Sequence, residues 1–349
     1  MAGLTFRPAV ESDHAALEEL FCATSMGARI RLCFERDPDF FAGSQVQAED
    51  TCVWAAFENN GRAVGVFSAG SRRVWGGLPL RYLSDLRIHP AWQGTSLLAR
   101  GFRLLQKEVF RPDEWAQTLV LEENVRALAM LTGRRGGLPE YRAAGRYVSW
   151  LLPHQRLDAR NQFQVRPATW ADLGAMQRLL DASSQRRSFA ERVSIEDLGK
   201  PRWRDLTISD FLVAERDGVI IGMMGLWDQS RFQRLRIHGY SPMIAALRPV
   251  WNSFASVALP RAGQTLRMRK ATAIACDGDD PAILRALLAA ALGASDERLL
   301  LLGFSAQDPL CVALRGVRGR VEYGRHFLVG WEGAPPEWEE PFAFDVARI

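Results

Sequence analysis

The sequence predicts an α/β fold that is built twice along the chain. The segment FRPAVESD at residues 6–13 returns as VRPATWAD at residues 165–172. Each copy begins with an extended segment that ends at Arg-Pro, followed by an acid positioned to cap a helix. The segments 54–67 and 212–225 each contain two apolar runs separated by an Asx-Gly turn, which is typical of a β-hairpin. Two copies of one α/β unit therefore account for the chain.

The boundaries of the two copies follow from the repeat and from a polar segment between them. We expect an N-terminal domain at residues 1–152 and a C-terminal domain at residues 163–334, separated by the polar segment LPHQRLDARNQ. Residues 335–349, rich in Pro and Glu, are predicted to wrap the second copy as an irregular tail.

Composition limits the class of protein. A chain of 349 residues that is 48% apolar supplies two cores, and it has no apolar run of about 18 residues and no signal-peptide pattern. A cytoplasmic location is therefore expected. The five cysteines are scattered, without a CxxC pair, so neither disulfides nor structural zinc or another metal is expected. The net charge of +4 is mild and its arginines are dispersed, which favours neither nucleic acid nor a membrane as partner but is compatible with an anionic small ligand.

The stretch HPAWQGTSLLARGF at residues 89–102 joins a predicted strand to a predicted helix. Pro90 ends the strand because it has no N–H to donate, and apolar residues at helical spacing follow the turn. Such a turn presents unpaired backbone N–H groups at the positive end of the helix dipole. No acid occurs from residue 91 to residue 107. The stretch therefore predicts an anion site, with a plain helix cap as the alternative.

The order of elements around this turn resembles that of the GNAT superfamily, the acyl-CoA-dependent N-acyltransferases. In that family the turn carries Q/R-x-x-G-x-G/A, and here Gln93 stands first, with Ser96 and Leu98 at the two small positions. The family's N-x-x-A signal is matched by Asn124 to Ala127. The expected fold class is therefore α/β, with two tandem GNAT-like domains, each a mixed, mostly antiparallel sheet flanked by helices.

The resemblance implies a site for acetyl-CoA or another acyl-CoA. The amides of the turn would hold the pyrophosphate, and the main chain at the end of the preceding strand would pair with the pantetheine arm. The N–H of Leu86 would polarise the thioester carbonyl. The cofactor-binding residues carried over are Leu86, Ile88, Gln93, Gly94, Thr95, Ser96, Leu97, Leu98 and Asn124.

The catalytic residues are less completely matched. The family's positions for a water chain that accepts the amine proton fall at Tyr82 and Ser84. Its proton-donor tyrosine falls at Leu131, so that acid is missing, and Tyr141 or Tyr147 from the last strand could replace it.

Other polar residues near this strand have simpler interpretations. Asp85 is expected to point to the face opposite Ser84, either as a buried partner for an arginine or as a charge at the strand end. Glu122 and Glu123 would receive an amine or merely lie at a solvated strand end, and His89 is expected to cap or pack.

The second copy has carboxylates where a pyrophosphate would bind. The strand ATAIACD is followed by GDDPAILRALLAAALG, where Asp279 or Asp280 is expected to cap the helix. We therefore expect no coenzyme A in this copy, which resembles a degenerate GNAT domain. The insertion at residues 238–266 would form either part of an acceptor wall or a helix that covers the sheet.

These observations predict an acyl-CoA-dependent N-acyltransferase, with acetyl-CoA as the expected donor, that transfers directly to a small-molecule or peptide amine. The alternative is a noncatalytic tandem GNAT-like protein that binds acyl-CoA or a partner. An aminoacyl-tRNA-dependent transferase is a third class, against which the mild charge argues. The acceptor and the oligomeric state are not encoded in any motif.

Overall fold

The computed structural model describes residues 3–25, 27, 30–133, 137–158, 163–254, 259–294 and 298–349, and confirms the α/β class. The strands are β1 (Leu4–Pro8), β2 (Ile30–Glu35), β3 (Glu49–Glu58), β4 (Ala63–Arg73), β5 (Pro79–Ile88), β6 (Trp115–Leu121), β7 (Glu140–Leu152), β8 (Gln164–Pro167), β9 (Phe211–Arg216), β10 (Val219–Trp227), β11 (Arg234–Tyr240), β12 (Met268–Cys276), β13 (Leu299–Ser305) and β14 (Arg320–Gly330). The helices are α1 (His14–Ala23), α2 (Phe40–Gln47), α3 (Leu97–Glu108), α4 (Val125–Leu131), α5 (Leu173–Ser184), α6 (Pro242–Phe254) and α7 (Pro281–Gly293). None of these helices is long and apolar enough to cross a membrane.

Twelve of the described strands form one continuous sheet, in the order β1-β3-β4-β5-β6-β14-β7-β13-β12-β10-β9-β8. Most neighbours are antiparallel, and the pairs β5–β6 and β12–β13 are parallel. The two remaining strands, β2 and β11, pair with each other outside this sheet. The expected mixed, mostly antiparallel sheet is therefore confirmed.

The two copies exchange their last strands. The strand β7, which ends the first copy, pairs with β13 of the second copy, and β14, which ends the second, pairs with β6 of the first. The strands β7 and β14 pair with each other in the middle. The domain boundaries read from the sequence remain a prediction, and the hydrogen-bonded sheet extends across them.

The repeated sequence motifs form the same local structures. Arg7 donates two hydrogen bonds to Asp13, at 2.6 and 2.8 Å, and Arg166 donates two to Asp172, at 2.8 Å each. Each aspartate also accepts from a backbone N–H three residues earlier, which closes the turn that leads into α1 or α5. The Asx-Gly turns join β3 to β4 and β9 to β10, as predicted.

Two cores cover opposite faces of the sheet around β5. On one face, Leu83 packs with Phe102 and Leu105 of α3. On the other, Tyr82 packs with Phe342 and Phe344 of the C-terminal segment. Adjacent residues of a strand point to opposite faces, so β5 lies between these two layers.

Three expectations need correction. The Sγ atoms of Cys22 and Cys33 are bonded, so the expectation of no disulfide is wrong, because the α1–β2 connection brings the two residues together. The tail contacts the first copy as well as the second: Tyr147 donates to the carbonyl of Phe344 at 3.0 Å, and the Phe344 ring lies 5.6 Å from that of Tyr82. The inserted helix α6 packs mainly on β11 rather than over the large sheet.

Candidate functional site

The strands β5 and β6 diverge in the middle of the first copy. They run parallel and pair over three positions, Leu80–Tyr82 with Trp115–Gln117. At Asp85 the backbone has φ = 58°, and Asp85 with Leu86 lies opposite one residue of β4, which is a β-bulge. The bulge and the divergence together leave the end of β5 unpaired on the side of β6.

The predicted anion turn lies directly beyond this point and faces solvent. Residues 93–96 are exposed, and Gly94 has φ = +81°, a conformation that glycine adopts without strain. Ser96 occupies the N-cap of α3 but its side chain caps no backbone N–H, and the first turn of α3 has no acid. Apart from the N–H of Leu97, which donates to Thr95 Oγ1 at 3.3 Å, the amides of the first turn of α3 have no side-chain partner among the described residues at the positive end of the helix.

The side chains of the turn mostly stabilise its own shape. Thr95 Oγ1 donates to the carbonyl of Trp92 at 2.7 Å, and the Gln93 amide donates to the carbonyl of Ile88 at 3.2 Å. His89 accepts from the N–H of Ala91 at 3.2 Å, so it caps this turn as expected. The ligand-binding capacity of the turn therefore resides in its backbone.

The departures from the family's small residues occupy different environments. The Ser96 side chain is exposed, whereas Leu98 is half-buried and packs into the core that contains Phe102. Leu98 also lines an apolar cavity of about 30 Å³ with Leu86 and Ile88. The Leu98 side chain therefore points toward the sheet and away from the exposed side of the turn.

The candidates Tyr82 and Ser84 point to the face opposite α3. The Arg72 guanidinium lies 3.7 Å from the centre of the Tyr82 ring. Burial, partly offset by Arg72, raises the pKa of Tyr82 to about 12, which excludes it as a base near neutral pH. Ser84 donates to Oε1 of Gln47 in α2 at 2.8 Å.

Asp85 has a buried arginine partner, which is one of the two roles expected for it from the sequence. Arg36, 1% exposed, donates two hydrogen bonds to its carboxylate at 2.9 and 2.8 Å, and Ser68 donates a third at 2.9 Å. The expected direction of the side chain is wrong. The bulge turns Asp85 so that it and Ser84 both reach groups around α2, since Arg36 also donates to Ser44 at 2.7 Å.

Tyr141 lies in the other core. Its ring packs 6.3 Å from that of Phe102 and 5.7 Å from that of Phe327, and burial raises its pKa above the ordinary value. Leu131 is buried in the same core. The structure thus brings Tyr82 and Ser84 together on one face but places Tyr141 on the other.

The polar residues after β6 are held by local partners. Glu122 accepts from Arg146 at 3.1 and 2.7 Å, and these hydrogen bonds lower the pKa of Glu122. Asn124 caps α4 by accepting from the N–H of Ala127 at 3.2 Å. Glu123 is exposed beside Arg320. Strand-end pairing and capping account for all three contacts.

The second copy has the same backbone arrangement, but carboxylates occupy the N-terminus of its helix α7. The strands β12 and β13 pair over three positions and β12 has a bulge at Ala273, where φ is 47°. Asp280 accepts from the N–H of Ala282 at 2.8 Å and so caps α7, as expected. Asp279 is held by Arg186 and Arg187 at 2.7 to 2.9 Å. The amides and the positive potential of this terminus are already engaged by carboxylates.

This chain has the GNAT fold, as its similarity over nearly its whole length to solved structures shows. It is similar to a GCN5-related N-acetyltransferase from Sphaerobacter thermophilus, at 12% identity over 93% of this chain and 95% of that one, with a TM-score of 0.55. It is also similar to a GCN5-related glucosamine N-acetyltransferase region of a fungal multi-domain GH3 beta-N-acetylglucosaminidase, at 12% identity over 95% of this chain and 38% of that one, with a TM-score of 0.59. No family model and no curated protein matches the sequence significantly.

Sequence reasoning missed several buried polar residues. Arg36 precedes α2 without any motif, and its partner Asp85 is 49 positions away. Lys270 is one of three lysines in the chain, a scarcity visible in the sequence, and it is 8% exposed in β12.

Proposed function

We propose that the protein is an acyl-CoA-dependent N-acyltransferase that uses its first copy to transfer an acyl group, acetyl in the simplest case, directly to an amine. The observation that carries this proposal is the uncapped, acid-free start of α3, exposed beside the divergence of β5 and β6. The amine is a small molecule or a peptide amine.

The phosphates would be held by the backbone amides of residues 93–98. The positive φ of Gly94 orients this turn, and no side chain of the turn competes for the amides of the first turn of α3 except Thr95, whose Oγ1 accepts from Leu97 at 3.3 Å. The outward Ser96 and the inward Leu98 leave this backbone accessible. The residues present therefore fit a pyrophosphate.

The acyl end would lie along the end of β5. Beyond the bulge, the backbone of Leu86 and Ile88 is not paired with β6, so it offers N–H and C=O groups to an amide-containing arm. The bound thioester supplies an activated carbonyl, and the N–H of Leu86 would stabilise the negative charge that develops on its oxygen.

Proton transfer would depend on two side chains, those of Ser84 and Tyr141. In direct transfer the amine nitrogen bonds to the carbonyl carbon, the C–S bond breaks, and the thiolate takes up a proton. Tyr82 stays protonated, which leaves Ser84 as the candidate for a water relay that removes the amine proton. Tyr141 is a protonated phenol on the side of α3 and is the candidate donor to the thiolate.

The noncatalytic alternative rests on these same side chains. Leu131 replaces the family's acid and is buried, and the Tyr82 ring is covered by Phe344. A protein of this kind would bind acyl-CoA at the turn without turnover.

Calorimetric titration with coenzyme A and acetyl-CoA tests the site. Gly94→Asp places a carboxylate at the turn, and Gly278→Asp is a matched control before α7. Both glycines have positive φ, at +81° and +57°, and open space around a new Cβ. We expect one site per chain, lost in Gly94→Asp and retained in Gly278→Asp.

Each other outcome is decisive. No binding by the unaltered protein contradicts the proposal, and loss in Gly278→Asp alone places the site in the second copy. Binding without acetylation of any amine in a panel would favour the noncatalytic alternative.

A further inference from the structure

A second cavity lies between the β2–β11 pair and the beginning of β12. Its volume is about 430 Å³, within the range of sites for small metabolites. Phe34 of β2, the segment after β10 and Lys270 of β12 line it, so both copies contribute to its wall. It is separate from the turn at residues 93–98.

Lys270 is an unusual residue for its position. The chain has 44 basic residues, of which three are lysines. Lys107 and Lys200 lie at the surface, beside Glu108 at 2.9 Å and Asp197 at 2.6 Å. Lys270 is 8% exposed, and its ammonium has no ion pair or hydrogen bond to any described residue. The Lys270 Nζ lies 5.9 Å from the centre of the Phe34 ring.

The surroundings of Lys270 are positive. The charged residues that line the cavity are Asp228, Arg234, Arg267, Lys270 and Arg298. Arg234 is paired with Asp37 and Arg298 with Asp228, whereas the Arg267 side chain has no ion pair or hydrogen bond to any described residue. The sequence explains this excess, because no Asp or Glu occurs from residue 229 to residue 276.

Burial is the main cause of the altered titration of Lys270. Burial and, to a smaller extent, the positive charge of Arg36 together lower the pKa of Lys270 to about 7, against the opposing effect of Asp345 in the C-terminal segment. An anion in the cavity would favour the charged ammonium and would therefore be bound together with a proton at and above neutral pH.

Two glutamines that line the same cavity each have a buried side-chain atom without a hydrogen-bond partner among the described residues. Gln229 donates to the carbonyl of Ala347 at 2.7 Å, but its Oε1 has no partner among the described residues. The Nε2 of Gln233 also lacks one. These side chains are 3% and 7% exposed, so such atoms are costly unless a ligand or solvent pairs with them. Both residues line the cavity, so a ligand that reaches these atoms would supply one missing donor and one missing acceptor.

We propose that this cavity binds a small molecule with a carboxylate or phosphate group and a separate hydrogen-bond donor. Lys270, Arg267 and the Gln233 amide bind the anionic group, and Gln229 Oε1 accepts from the donor. The site goes beyond the proposed acyltransferase activity and does not depend on it.

Calorimetry of the full chain with malonate and with inorganic phosphate tests this site, since the two probes distinguish a carboxylate from a phosphate ligand. Lys270→Met keeps a side chain of similar length without the charge, and Lys200→Met is the surface control. We expect one saturable site for at least one probe, about tenfold weaker or more in Lys270→Met and unchanged in Lys200→Met. Affinity falls as the pH rises above about 7, because the ammonium is lost.

Gly94→Asp separates this proposal from the previous one. Anion binding that survives Gly94→Asp and is weakened by Lys270→Met belongs to the cavity, whatever the outcome with coenzyme A. Binding that is lost in Gly94→Asp and retained in Lys270→Met belongs to the turn and overturns the cavity proposal. Absence of a saturable site for both probes also overturns it.

A chemical label provides a second measurement that needs no substitution. Pyridoxal phosphate is an anionic aldehyde, and a neutral amine condenses with it to an imine with loss of water, which borohydride then reduces to a stable amine. We expect the label on Lys270, protected by the probe that binds. Labelling confined to Lys107, Lys200 or the amino terminus would contradict the proposal.

Discussion

The backbone has the same arrangement before α3 and before α7, but the side chains at the two helix starts differ. In both, a bulge interrupts the strand, the parallel neighbour diverges, and a helix begins beyond the bulge. The first helix starts with an exposed Ser96 that caps nothing, and the second with a capping Asp280. The same backbone therefore leaves a helix start uncapped by Ser96 in the first copy and occupied by the carboxylates of Asp279 and Asp280 in the second.

The bulges themselves are stabilised differently. Asp85 in the first is fixed by the buried Arg36, whereas the second has Ala273, which makes no polar side-chain contact. The two strands also differ three residues before the bulge, where β5 has Tyr82 and β12 has Lys270. These differences allow the comparison to be tested by substitution.

The largest effect is expected from Asp85→Ala, which makes the first bulge resemble the second. It leaves the Arg36 guanidinium buried without its partner, so we expect a loss of about 3–5 kcal/mol in the free energy of unfolding. Urea denaturation measures this loss. Asp217→Ala is the control, since Asp217 has a similar φ of 52° in an exposed hairpin and should cost about 1 kcal/mol. Equal losses would show that backbone strain, rather than the ion pair, accounts for the effect.

A smaller effect is expected in the pH dependence of stability, because β12 has Lys270 at the position where β5 has Tyr82. The pKa of Lys270 is about 7 in the folded chain, below its ordinary value of 10.5, so the unfolded state binds more protons between these values. Stability should therefore rise with pH across this window, by about 2 kcal/mol from about pH 7 to about pH 9. Lys270→Met should lose this rise when both proteins are unfolded with urea at each pH. A rise of the same size in Lys270→Met would assign it to other groups.

The smallest effect is a reciprocal exchange of the caps. Ser96→Asp should stabilise the chain by about 0.5–1 kcal/mol and weaken acetyl-CoA binding, because the new carboxylate takes the helix amides. Asp280→Ala should destabilise it by about 1 kcal/mol without any change in acetyl-CoA binding. Thermal unfolding and calorimetry of both variants provide the values. Unchanged acetyl-CoA affinity in Ser96→Asp would contradict a phosphate site at α3.

Many of these features were predictable because they depend on nearby residues. The hairpins follow from their Asx-Gly turns, the Arg7–Asp13 and Arg166–Asp172 pairs from one repeated motif, and the cap of α7 from an aspartate before a proline. The direction of Asp85 was not predictable, since a bulge shifts the alternation of side chains by one residue and depends on the register with β4.

Interactions within a few residues thus follow from local sequence, which encodes the repeat, the class of fold and the turn before α3. The exchange of β7 and β14, the Cys22–Cys33 bond and the placement of the tail against Tyr82 arise from packing between distant segments. The environment of Lys270 belongs to this second group. The charge of Lys270 depends on how deeply β12 is buried and on which residues face the ammonium, and both depend on the folded chain.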